Sequence, residues 1–373
     1  MDVTENEDVL VHDEFLVCGG VVTHVLKCGP WSDLFSTKDS PKLLVLIITG
    51  NPGVPAFYTE FVKALYLSLQ KRYPVWVISH AGHVSAPRGV KVDEEVPKDP
   101  SPRKLDDAVG LEGQVEHKLA FLRRCVPATL RLVLISHSVG SYILLEMMKR
   151  APQLPVLRSL LLFPTIERIA KTPNGQLATP LLCWLRYALY VPIYIGLSLL
   201  PARVQAILAN LILQSLKMEN AVTSRHVMNS VNMDCIANAM YLGSQEMRTI
   251  LERDNDTIQK HLKKLTFYYG TSDLWCPIQF YEDIKKDFPS GDIKLCEKGP
   301  LGLHEMRLPS GSGLGCMGPG SDSVCGLGPH AHQGITVIMA ILEELLYSPR
   351  WSFRMLWGQS PFGFDFMVQV CHA

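Results

Sequence analysis

The chain has 373 residues, 47% of them apolar, and its 36 basic residues balance 36 acidic ones. That length buries a substantial core in one or two domains, and a net charge of zero supplies no basic field to gather nucleic acid. The acidic start, MDVTENEDVLVHDE, lacks the basic-then-apolar layout of a secretion signal, and the ten cysteines form no C-x-x-C pair, so reduced thiols in a cytosolic setting are expected.

The first strong element is LLVLII, residues 43–48, which stops at Thr49-Gly50-Asn51-Pro52-Gly53 and reads as a buried strand ending in a turn. A helical pattern follows through FYTEFVKALYLSLQKR. VWVIS at 75–79 is a second strand, and residues 86–104, rich in proline and charge, read as a surface loop. LEGQVEHKLAFLRRCV is an amphipathic helix; a strand at 131–135 then turns at Ser138 into a helix over 139–150. LRSLLLF at 157–163 is a strand and a long helical middle region follows. KLTFYYG at 264–270 is again a buried strand, YEDIKKDF a polar helix and DIKLC at 292–296 a short strand. Apolar strands alternating with amphipathic helices predict an α/β fold, a mainly parallel sheet covered by helices on both faces.

The turn Ser136-His137-Ser138-Val139-Gly140 carries the chemistry. A nucleophile on a sharp strand-to-helix turn takes a strained backbone conformation and needs small neighbours, and Ser136 stands where glycine is usual in G-x-S-x-G. The helix behind Ser138 aims its first N–H groups at an oxyanion, with Val139 the natural donor. A plain helix cap is the alternative role for Ser138. TGNPG is placed to give a second donor; Pro52 has no N–H, so Asn51 or Gly53 would supply it. Serine needs a base and the base an orienting carboxylate, in the chain order Ser, acid, His. Asp273 in FYYGTSDLWCP, three residues beyond a strand end, fits the acid, with capping of a helix near Pro277 as its other role. His137 adjoins the nucleophile and cannot easily bring its ring to that oxygen. His80 and His83 in SHAGH, with no Cys, Asp or Glu cluster beside them, read as structural, and neither a metal site nor a cofactor is expected.

ITGNPG, FYTEFVKALY, WVISHAGH, the L-x-x-Q-x-x-H-K stretch from Leu111, LISHSVGSY, LLFPTIE, ATPLLCW and FYYGTSDLWCP together resemble the lipid droplet-associated serine hydrolase family, from about Glu14 to Lys298. The resemblance implies an α/β-hydrolase fold and ester hydrolysis on neutral lipids, cholesteryl esters among them. It matches Ser138 to the nucleophile and Asp273 to the acid. A family member should then present its histidine in a short Pro-His-Ala-Phe loop before the last helix. Here residues 299–328 hold nine glycines, a composition that resists a packed core. His330, in Pro329-His330-Ala331 ahead of ITVIMAILEELL, matches the local pattern and is preferred as the base. His304, 31 residues past Asp273, is the competing placement, and a chain with no histidine in position is the third case. The expected layout is a hydrolase domain over 1–298, a glycine-rich segment over 299–328 and a divergent tail over 329–373.

Residues 177–216 form an apolar insertion. Its uncharged run from 187 to 202 has 16 residues and is interrupted by Pro192 and Pro201, short of the roughly 20 a spanning helix needs. A lid or hairpin lying in a lipid surface fits, with Trp184, Tyr187, Tyr190 and Tyr194 at headgroup level and the arginines snorkelling. A buried pair of cap helices is the other reading. The sequence therefore points to a serine esterase acting on neutral lipid esters at the surface of a lipid droplet or of the endoplasmic reticulum, on its cytosolic face. Acyl transfer to another alcohol, and a catalytically silent droplet-binding protein, are the alternatives.

Overall fold

The computed structural model describes residues 9–29, 34, 42–87, 89–93, 107–201, 204, 207, 233–296, 351–355 and 368–372. It opens with an antiparallel hairpin, β1 (His12–Cys18) and β2 (Val21–Cys28), that sequence reading did not single out. Gly19 and Gly20 both have positive φ, 63° and 79°, as a two-residue turn of this hand requires. Then come β3 (Leu43–Ile48), α1 (Thr59–Ser68), β4 (Val75–Ile78), a two-residue β5 (Val92–Asp93), α2 (Leu111–Cys125), β6 (Arg131–His137), α3 (Val139–Arg150) and β7 (Val156–Leu162). Helices α4 (Pro173–Cys183) and α5 (Arg186–Ser198) enter the insertion, and α6 (Met233–Thr249) returns from it. α7 (Asn255–His261), β8 (Leu265–Gly270), α8 (Ile278–Asp287) and β9 (Asp292–Cys296) follow.

The strands join as one sheet in the order β5-β1-β2-β4-β3-β6-β7-β8-β9. From β4 to β9 all pairings are parallel, while β2 runs antiparallel to both neighbours. This is the α/β-hydrolase architecture that the resemblance implies. In β3, Leu44, Leu46 and Ile48 enter one apolar cluster with α2, α3 and α8, while Leu43, Val45 and Ile47 enter the other with α1. A strand buried on both faces has no polar side to alternate, which is why LLVLII is continuously apolar. Burying one such side chain stabilises by about 2 kcal/mol, so this layer anchors everything at its carboxyl edge.

Two expectations need adjusting. The strand leading to Ser138 runs to His137, because Ser136 and His137 still pair with Leu161 and Leu162. Pro192 does not interrupt the insertion: α5 continues through it, and Pro201 lies beyond the helix end. Outside the hydrolase body, Trp351–Met355 and Val368–His372 pair antiparallel. His304, His330 and the glycine-rich stretch lie outside the described residues.

Candidate active site

Ser138 sits between β6 and α3 with φ 50° and ψ −126°, a conformation that costs a non-glycine residue about 1–3 kcal/mol. Three backbone hydrogen bonds hold it: its N–H donates to Leu162 O (3.0 Å), and its carbonyl accepts from Ser141 N (2.9 Å) and Thr165 N (3.2 Å). Gly140 is required by contact, since a Cβ there would lie 2.5 Å from Thr49 O and 2.6 Å from Ile48 O. Ser136 is accommodated in a glycine-like position because its hydroxyl is paired. It donates to Leu160 O at 3.3 Å and accepts from the Ser141 hydroxyl at 3.0 Å. Although Ser138 stands at the N-cap position of α3, its side chain makes no capping bond. Its Oγ instead lies 3.1 Å from Thr165 Oγ1, a partner the sequence did not suggest.

Thr165 belongs to the PTIE turn after β7. Buried Glu167, two residues on, accepts from Arg253 at 2.7 Å and from Arg168 at 2.7 Å, which fixes that turn against the segment preceding α7. Thr165 Oγ1 also lies 3.6 Å from Cys276 Sγ. The Cys276 N–H donates to Asp273 Oδ1 at 2.9 Å, as does Trp275 N–H at 2.7 Å, so one chain of contacts links the Ser138 hydroxyl to the Asp273 loop. Helix α8 is capped by Pro277 without a side-chain bond, so Asp273 is not its cap. Asp273 is only 7% exposed, and Oδ2 has no hydrogen-bond partner among the described residues. Burial raises its pKa, opposed by the Cys276 and Trp275 N–H groups. A buried carboxylate with one oxygen saturated and the other unpaired is suited to receiving an imidazolium N–H.

The loop over the elbow is built from both sides. Gly50 N–H donates to Tyr58 Oη at 2.9 Å, and the Tyr58 hydroxyl is hydrogen-bonded to His137 Nδ1 at 3.0 Å. Burial pushes the His137 pKa down to about 4, so its imidazole is neutral near pH 7. A Cβ on Gly50 would sit 2.6 Å from that imidazole. His137 thus braces the turn behind Ser138. At the other end Gly53 N–H donates to His83 Nδ1 at 2.9 Å and Gly53 O accepts from His80 N at 3.0 Å. Burial depresses both imidazoles, His83 to about 3.

The 79–83 turn is itself gripped by α2. Gln114 exchanges two bonds with the Ala81 backbone (2.8 and 3.0 Å), and buried Lys118 donates to Ser79 O at 3.0 Å. Burial holds that lysine well below the usual range, so the polar face Gln114-His117-Lys118 works as scaffold. Of the two residues proposed for the second oxyanion donor, Gly53 has its N–H committed to His83. Asn51 keeps an N–H that makes no hydrogen bond among the described residues. Val139 opens α3, where the first N–H groups lack intrahelical acceptors.

The insertion contrasts with this closed site. Trp184 is 74% exposed, Ile193 55%, Ile195 53% and Leu199 80%. Tyr190 and Tyr194 stack at 5.7 Å, and Arg186, instead of reaching away from the protein, bonds Ser244 Oγ at 2.8 Å and lies over the Tyr241 ring of α6. Among the described residues no helix is long and apolar enough to cross a membrane.

A family model described as lipid-droplet associated hydrolase matches residues 41–301. The chain is 54% identical to the lipid droplet-associated hydrolase of Homo sapiens over 300 residues, which covers 80% of this chain and 91% of that one. It is also 54% identical to the protein of the same name from Gallus gallus over 303 residues, with the same coverage. Among solved structures, a thioesterase domain from the curacin biosynthetic pathway is similar at 13% identity and a TM-score of 0.49, over 78% of this chain and 93% of that one. The family match spans the elbow, the acid loop and the insertion together, and the chain belongs to the lipid droplet-associated hydrolase family.

Proposed function

We propose that the chain is a serine hydrolase that cleaves neutral lipid esters, cholesteryl esters or acylglycerols, at the surface of a lipid droplet. The strained Ser138 elbow carries this reading, because a backbone cost of that kind is maintained where a hydroxyl must be presented. In the proposed cycle Ser138 Oγ attacks the ester carbonyl and its proton passes to a histidine, His330 in preference to His304. Asp273 Oδ2 accepts the other ring N–H of that histidine. The carbonyl oxygen, now an anion, is held by the N–H groups of Val139 and Asn51. Collapse releases the alcohol with the histidine's proton and leaves an acyl-Ser138 ester, which water hydrolyses by the same path in reverse. The exposed aromatic and aliphatic face of α4 and α5 supports attachment to lipid.

A fluorophosphonate probe on the full-length protein tests the reading. The wild type should label, and Ser138→Ala should lose labelling and esterase activity, by about 10⁴-fold or more. Labelling of Ser138→Ala equal to wild type would remove Ser138 from the mechanism. His330→Ala and His304→Ala, compared side by side, assign the base. A second reading, a droplet-bound protein without catalysis, is favoured by one feature of the sequence: where the resemblance implies a short histidine loop, residues 299–328 hold nine glycines. A wild type that binds droplets and does not label would support it.

A further inference from the structure

The return helix α6 carries a carboxyl group that the proposed chemistry does not use. Glu246 is 4% exposed, and its Oε1 accepts a hydrogen bond from Asn51 Nδ2 at 2.9 Å across 195 positions of sequence. The same amide nitrogen donates to Ala239 O, about two turns earlier on α6, at 3.0 Å. Both N–H bonds of the Asn51 side chain therefore end on one helix. The approach is close: a Cβ at Gly243, between those two positions, would lie 3.4 Å from Asn51 Nδ2 and 2.9 Å from Leu182 Cδ1.

We propose that Glu246 is a positioning residue for the hydrolytic step: from the return helix it fixes the Asn51 side chain so that the Asn51 backbone N–H faces the carbonyl oxygen attacked by Ser138. This rests on the serine reading above. Three arguments support it. The loop's other amides are spent, Gly50 on Tyr58 and Gly53 on His83, and Pro52 has none, so Asn51 alone has a backbone donor to offer. Those bonds fix the loop at Gly50 and Gly53; between them Pro52 O accepts from Val54 N at 3.0 Å, and the Asn51 side chain ties the loop to α6. Finally, burying a carboxyl is costly where an apolar side chain would pack. Burial pushes Glu246 up to about 7, and its protonated form still accepts through the carbonyl oxygen.

The test uses full-length protein, hydrolysis of p-nitrophenyl butyrate, and the rate of fluorophosphonate labelling, each beside a thermal melt. Glu246→Leu should lower kcat and the labelling rate by about 10- to 100-fold, as expected for a donor displaced by up to 1 Å, with KM unchanged. Glu246→Gln, whose amide oxygen accepts the same bond, should restore most of the rate. Asn51→Ala keeps the backbone N–H but frees it, and should show the same fall in kcat. Adding Glu246→Leu to Asn51→Ala should then cost nothing more, because both act through one contact. A merely structural Glu246 would move the melt and leave kcat per folded molecule intact. Unchanged kcat in a folded Glu246→Leu, or losses that multiply in the double variant, overturn the assignment. If Glu246→Leu does not fold, unchanged kcat in Asn51→Ala overturns it. A wild type without Ser138-dependent labelling overturns the serine reading and this assignment with it.

Discussion

The elbow segment RLVLISHSVGSYILL (131–145) and the insertion segment LATPLLCWLRYALYVPIYIGL (177–197) are both dominated by apolar residues, yet they are buried to opposite degrees. From Leu132 to Leu145 every residue except Ser138 and Tyr142 is buried, whereas residues 191–196 are all exposed. In the first, β6 is flanked by β3 and β7, and its side chains alternate between two apolar clusters. In the second, Ala178 and Leu182 of α4 join the core, and α5 touches the body through Arg186 and Tyr190. Composition does not separate the two cases. The difference lies in whether neighbours exist on both sides, and an exposed apolar run calls for a partner that is itself apolar.

Crowding the elbow should have the largest effect. In Gly140→Val the new Cβ would meet backbone oxygens of Ile48 and Thr49, which cannot move without disturbing β3. We expect a stability loss on the order of 3 kcal/mol or more, measured by urea unfolding, and loss of probe labelling. A near-neutral result would mean that the elbow is looser than these contacts require. The insertion should respond in the opposite sense. Ile193→Asp and Ile195→Asp change residues that are more than half exposed, so the melting temperature should hold. Flotation with triolein droplets coated in phosphatidylcholine should weaken by roughly 30-fold per site, at about 2 kcal/mol each. Loss of stability with droplet binding intact would make α5 a cap helix.

The buried elements were legible because their signal is local. LLVLII, VWVI and LTFYYG each end at glycine, serine or a turn, and the Ser138 turn is readable from residues 136–140 alone. The hairpin β1–β2 was missed despite its Gly-Gly turn, because charged residues interrupt its apolar pattern. The fold pairs them instead, Lys27 with Glu14 and His24 with Asp13. Thr165 and Glu246 were not legible for a different reason. Each meets its partner only through the tertiary fold, 27 positions away for Ser138 and Thr165 and 195 for Asn51 and Glu246, and neither sits in a motif. Ser138, Asp273, Asn51 and Val139 were named from chain order and turn geometry, and the same logic could not choose between Asn51 and Gly53. The proposed cycle uses Asn51 because the His83 ring occupies the Gly53 amide.

The last effect arises at Glu246, on the helix that returns from the insertion and bonds Asn51 in the loop after β3. Burial raises its pKa from the ordinary 4.5 to about 7, against the weaker opposing effect of the Asn51 hydrogen bond. Between those values the folded chain holds a proton that the unfolded chain has released. This group's contribution to stability is therefore complete below about pH 4.5 and is lost as the pH rises through about 7, at up to about 1.4 kcal/mol per pH unit. His80, His83 and His137 act in the other direction. Their folded pKa values lie below the usual 6.5, so their contribution is present above that value and is lost on acidification. A single stability curve mixes the two. The difference between wild type and Glu246→Gln isolates the carboxyl, since the histidines are common to both. Urea midpoints taken from about pH 5 to 8 should show the wild type losing ground to Glu246→Gln up to about pH 7 and holding level above it. A flat difference would mean that Glu246 is already ionised in the fold, and the neutral acceptor described above would have to be replaced by a buried carboxylate facing the Asn51 amide.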